Sequence, residues 1–124
     1  MNDRELLEMA AKAAGMGIKK ARQAERDAGG YGHVGLWIVD VSTCWNPLED
    51  DGDALRLAVK LGLTLRRRTH QDPTTHAVVI ACAWTEDGVA IAHCSESLIL
   101  GQDQFKATRR AIVRAAAAIG EQMP

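Results

Sequence analysis

Four carboxylates, Glu49, Asp50, Asp51 and Asp53, crowd into five positions. Such a cluster of oxygen donors can bind magnesium together with a phosphate. It also has a plainer use, because acidic side chains at a helix N-terminus accept hydrogen bonds from free backbone N–H groups and favour the helix dipole. Asp50 with Asp53 three residues on has the form of such a cap, and capping is the reading taken here. His93 and Cys94 are the only close pair of soft ligands. Neighbours on a strand point to opposite faces, so they do not share one ion. A cysteine nucleophile needs a depressed thiol pKa and a histidine in reach. Cys82 lies inside the apolar run VVIACAW, and Cys44, in a loop beside Trp45, has no recognised signature around it. No catalytic residue, metal site or cofactor is therefore assigned.

Binding residues stand out better. In Trp45-Asn46-Pro47 the proline fixes its own φ and pushes Asn46 toward extended backbone, so the tryptophan is held in a set direction ahead of a helix. Two outcomes stay open: a plug in the core, or a stacking wall for a planar ligand such as a nucleobase. Arg66-Arg67-Arg68, followed by His70, lies on an expected strand, which sends Arg66 and Arg68 to one face and Arg67 to the other. Lys106, Arg110 and Arg114 recur at intervals of four on the last helix, with Arg109 alongside. Either basic set suits phosphates or an acidic protein surface. The alternative is a solvated face whose charges are neutralised by nearby Asp and Glu. The candidate binding residues are thus Trp45, Asn46, Arg66, Arg67, Arg68, His70, Lys106, Arg110 and Arg114.

The elements that must position these residues are those of one domain over 1–124. Hydrophobic residues make up 47% of the chain and charged ones 25%, enough for a real core. That core is mostly aliphatic, since aromatics are only 4%. Fifteen basic residues against sixteen acidic ones leave a net charge of -1, which gives no global field for nucleic acid or an anionic membrane. No apolar run approaches the ~18 residues of a membrane span, and the acidic, amphipathic start MNDRELLEMAAKAAG is unlike a secretory leader. Three cysteines without a CxxC pair suit a reducing cytosol, so a cytoplasmic protein is expected.

Asn2 or Asp3 caps a first helix with Leu6, Leu7, Met9, Ala10, Ala13 and Ala14 on its apolar side, and Gly15 stops it. Residues 18–31 read equally as helix extension, strand or loop. HVGLWIVDV, from His33 to Val41, reads as a strand. Asp50 opens a second helix that Gly62 closes, with Leu55, Leu57 or Ala58, Val59 and Leu61 expected on its buried side. LTLRRRT then alternates as an edge strand would, HAVVIACAW is a central strand, and VAIAHCS returns from a turn at Glu86-Asp87-Gly88. A last helix from Gln104 to Glu121 carries Phe105, Thr108, Ile112, Ala115, Ala116 and Ile119 on one face. The expected fold is α+β: a small, mainly antiparallel sheet of three to five strands packed by two or three helices on one face.

Asp3-Arg4-Glu5-Leu6-Leu7, Trp45-Asn46-Pro47-Leu48, the run from Asp50 to Val59 and the run from Ala107 to Val113 resemble small proteins encoded by tailed phages and prophages. More remotely, an aromatic-Asn-Pro motif, a short helix, a strand region and a closing helix is similar to the layout of the NinX-like phage family. The first likeness covers about half the chain and the second is one of layout; residues 18–31 depart from the pattern. The resemblance implies a phage setting and brings no catalytic residues with it.

Two expectations follow. The first is a non-enzymatic host-takeover or anti-defence protein that binds a host protein stoichiometrically through the two basic sets. The second is an oligomeric sponge that sequesters a nucleotide-type signal without cleaving it, with Trp45 stacking on the base and arginines pairing with phosphate. A homodimer stays open.

Overall fold

The structure is a computed structural model that describes residues 1–17, 35–37, 44–69, 77–84, 87–98 and 103–124. It contains α1 (Asp3–Ala13), β1 (Leu36–Trp37), β2 (Cys44–Trp45), α2 (Asp51–Leu61), β3 (Thr64–Thr69), β4 (Ala77–Trp84), β5 (Ala90–Leu98) and α3 (Gln104–Gln122). β3, β4 and β5 form an antiparallel sheet in that order, and β1 pairs antiparallel with β2. The fold is the expected small α+β arrangement.

Each helix is capped by a side chain, Asn2 and Asp50 as the sequence implies and Asp103 as a cap outside that expectation. Asn2 accepts from Glu5 N at 2.8 Å, Asp50 from Asp53 N at 2.8 Å and Asp103 from Lys106 N at 3.0 Å. Gly15 and Gly62, at φ 70 and 64, end α1 and α2 in the left-handed conformation that glycine adopts without strain. The carboxylate cluster thus opens a helix, as its spacing implies.

α3 is the middle layer. One side packs Ile112, Val113, Ala116 and Ala117 with Leu6, Leu7, Ala10, Ala11 and Ala14 of α1 and Ala54, Leu57 and Ala58 of α2. The other packs Ala111 and Ala115 on Val79, Ala81, Ala83 and Ala92 of the sheet. A helix buried on two sides needs a wider apolar arc than one stripe, and small residues let both neighbours come close. Gly120 marks the limit of that approach, because a Cβ there would run into the Met9 carbonyl of α1.

The structure corrects several sequence expectations. Leu55 and Val59 are 61% and 73% exposed. α2 packs chiefly on α3 and buries the single stripe Ala54, Leu57 and Ala58, with Leu61 partly covered. Phe105 is 70% exposed, since it stands in the first turn of α3 and burial begins at Ala107. Cys44 and Trp45, expected in a loop, form a short strand against Leu36 and Trp37. Of the strand expected over His33 to Val41, Leu36–Trp37 is extended; its other residues, apart from Gly35, fall outside the described residues, as do 18–31. β5 runs on to Leu98, beyond the expected end. Among the described residues no helix is long and apolar enough to cross a membrane.

A glycine-to-alanine change inside a helix ordinarily adds about 1 kcal/mol of stability. Gly120→Ala is expected to do the reverse and lower unfolding free energy by about 1–3 kcal/mol through overpacking against α1. Denaturant titration reads the sign directly, and a stabilised variant would refute the close contact.

Candidate functional site

The Trp45-Asn46-Pro47-Leu48 turn is built from its own polar groups. Asn46 Oδ1 accepts from Leu48 N at 3.1 Å, and the Asn46 carbonyl accepts from Glu49 N and Asp50 N at 3.1 and 2.8 Å. Asp53 Oδ2 reaches back to Asn46 N at 3.0 Å. Arg109 of α3, its side chain 14% exposed, donates from Nε to the Leu48 carbonyl at 2.8 Å and from Nη1 to Asp51 at 2.7 Å. The carboxylates therefore hold a turn and a helix start together. Pro47 is fully buried and Trp45 is 7% exposed, so Trp45 is a core residue.

The edge of that core is not closed. Trp45 and Cys44 line a cavity of about 430 Å³ together with Ala14 and Met16 from the end of α1 and Asp53, Arg56, Leu57 and Lys60 of α2. Arg56 Nη2 donates to Asp53 Oδ1 at 2.7 Å, so both oxygens of Asp53 are engaged. Among the described residues the cations beside Trp45 are Arg56 and Lys60, and Arg66, Arg67, Arg68, Lys106, Arg110 and Arg114 are not in the lining. Arg56 and Lys60 were legible as an i,i+4 pair on one helix face. That this face closes over Trp45 was not.

The two basic sets have different fates. Arg110 pairs with Asp3 at 3.1 Å and Glu96 at 3.6 Å, and Arg114 with Glu96 at 2.8 Å and the Ser95 carbonyl at 3.0 Å. These side chains bind α3 to α1 and β5, and their charge is met inside the fold. On β3, Arg66, Arg67 and Arg68 are all exposed. Their register with Ile80, Val79 and Val78 puts Arg67 on the α3 side of the sheet and the other two on the opposite side, as the alternation implies. Arg67 Nη1 reaches Gln104 Oε1 at 3.4 Å. This joins β3 to the first turn of α3, where Phe105 and Lys106 are exposed and a shallow hollow opens among Asp103, Gln104, Phe105 and Thr108. His70 lies outside the described residues.

The cysteines are all free. Cys82 is buried, Cys94 is half-buried and Cys44 is exposed. Burial pushes the Cys94 thiol above its ordinary value, with Arg114 pulling in the other direction. His93 and Cys94 pair with successive β4 residues, Cys82 and Ala81, and so face opposite ways. Among the described residues no group of three His, Cys, Asp or Glu side chains is placed to hold a metal ion. No protein-family model, curated protein or solved structure matches the chain.

Removing the Arg109 side chain takes the donor from the part-buried Leu48 carbonyl, while Asp51, 68% exposed, turns to solvent. Arg109→Ala is expected to cost about 1.5–3 kcal/mol, the worth of charge-assisted hydrogen bonds. Arg109→Lys should recover only part, because an ammonium lacks the planar fork. A loss within about 0.5 kcal/mol, typical of surface changes, would rule out the clamp. Alkylation followed by mass spectrometry should modify Cys44 first. Thiolate is the reactive form and burial disfavours it at Cys94, so the Cys94 rate should climb only at higher pH than that of an ordinary thiol. Equal rates at Cys44 and Cys94 would contradict the burial.

Proposed function

We propose that this protein works by stoichiometric binding, without catalysis, and that it captures an acidic, extended segment of another protein along the outer edge of β3. The observation that supports this reading most strongly is the difference between the two edges of the sheet. On β5, the Ile91 carbonyl accepts from Gln122 Nε2 at 2.8 Å and the Ser95 carbonyl from Arg114 Nη1 at 3.0 Å. On β3, no side chain among the described residues caps the outer backbone. Alternate residues of an edge strand turn N–H and C=O groups outward, a template for one more strand.

Charge selects what pairs there. Arg66, Arg67 and Arg68 favour a negatively charged segment, and they oppose a second copy, since antiparallel self-pairing would set arginine against arginine. Phe105 and Lys106 flank the strand through the Arg67–Gln104 contact. Exposed aromatic and arginine side chains are the types that anchor protein interfaces. On the resemblance to tailed-phage proteins, the partner proposed is a host protein and the role host takeover or anti-defence.

An extended peptide of alternating glutamate and valine is the direct probe. Binding should weaken with salt and fall at least about tenfold in the Arg66→Glu/Arg68→Glu variant, a loss of about 1.4 kcal/mol. It should also fail when the peptide backbone is N-methylated, which removes the ladder hydrogen bonds but not the charge. A charge-reversed variant that still captures peptide would leave the arginines as a guard against edge-to-edge aggregation, and the proposal would be wrong.

A further inference from the structure

We infer that the cavity beside Trp45 is a second, separate binding site, for a small flat organic molecule bearing one anionic group. It goes beyond the protein-binding reading and does not depend on it.

The cavity's size is the first argument. About 430 Å³ falls in the range of roughly 300–1,000 Å³ typical of small-molecule sites. Its walls are the second. Ala14, Met16, Trp45 and Leu57 give an apolar interior, in which Trp45, 7% exposed, presents only the accessible part of its ring. Trp45 is held by the β1–β2 pairing and the Asn46–Pro47 turn, and α2 is capped at both ends by Asp50 and Gly62. A preformed pocket loses little ordering entropy on binding.

The polar lining decides the ligand's charge. Among the described lining residues Asp53 is the only carboxylate, and its oxygens already accept from Asn46 N and Arg56. Arg56 pairs with Asp53 at 2.7 Å and lies 3.9 Å from Asp50, yet it is widely exposed and has further N–H donors. Lys60 makes no hydrogen bond or ion pair with the described residues. Being four residues apart on α2, Arg56 and Lys60 lie on one helix face, and with Asp53 paired to Arg56 they leave the described lining one positive charge in excess. A cationic ligand finds no unengaged carboxylate among the described lining residues. A polyanion would find too few partners for its charge. A flat ring with a single carboxylate, sulfonate or phosphate meets both the walls and the cations. Mononucleotides and aromatic acids share that chemistry.

Two matched pairs of probes test it: adenosine monophosphate against adenosine, and 1-naphthalenesulfonate against 1-naphthalenemethanol. Calorimetry should give one-to-one binding of at least one anion, about tenfold or more tighter than its neutral partner, as expected for charge-assisted hydrogen bonds. The indole N–H resonance of Trp45 should shift on titration. Trp45→Ala would disturb the core, so the informative variant is Arg56→Gln/Lys60→Glu, whose side chains are exposed. It should keep its circular dichroism and melting temperature, bind the neutral probes as before and lose the preference for anions. The Arg66→Glu/Arg68→Glu variant should bind the probes like the wild type, which separates this site from the β3 edge. The inference is overturned if neither anion binds at millimolar concentration, if anion and neutral partner bind alike, or if the double variant retains the preference. A shift at other tryptophans with Trp45 unmoved would also overturn it.

Discussion

The close approach of α1 and α3 is the constraint on which the other contacts rest. Gly120 lets the Met9 carbonyl come within the space a Cβ would need, and Ala10, Ala11, Ala116 and Ala117 line the same interface with minimal side chains. Small residues exchange side-chain bulk for main-chain proximity, so the two helices can sit flush. Because α3 has alanines on its other side as well, it can also lie close on Val79, Ala81, Ala83 and Ala92. The alanine-rich composition is therefore what allows a single helix to serve as the middle of three layers. Lys12 adds a polar tie, donating from Nζ to the Met123 carbonyl at 3.0 Å beyond the end of α3.

Once α3 is fixed, it distributes the charges. Arg109 anchors the turn before α2, and Arg110 and Arg114 meet Asp3 and Glu96. Three arginines within six positions of one helix are thus bound to three different elements. Buried or half-buried arginine suits this work because its planar fork serves two acceptors at once. Among the described residues, the cations that meet no carboxylate include Arg66, Arg67 and Arg68 of β3, Lys60 of α2 and Lys106 at the start of α3. That partition is why the β3 edge and the Trp45 cavity, and not the α3 stripe, carry the binding proposals.

Caps and strand alternation were legible because they depend on near neighbours. Asn2 and Asp50 each reach the backbone three residues on, and Arg66, Arg67 and Arg68 alternate by the geometry of the strand alone. Leu55, Val59 and Phe105 misled for a matching reason. Their residue type says that burial would be favourable, but whether a layer exists to cover them depends on where α2 and the first turn of α3 end up. Trp45 was legible as a residue held in place, with both core and ligand-facing outcomes open. The structure shows it in the core and still at the wall of a cavity.

The amino-acid sequence by itself determined the α+β class, the helix boundaries set by capping residues and glycines, the aliphatic core and the two runs of positive charge. All of these follow from local periodicity and backbone preference. Only the tertiary structure decided which arginines meet carboxylates, which sheet edge is capped, and that Arg56 and Lys60 stand beside Trp45. Those outcomes depend on contacts between residues such as Arg110 and Asp3, separated by 107 positions, and no local rule relates such residues before the layers have packed.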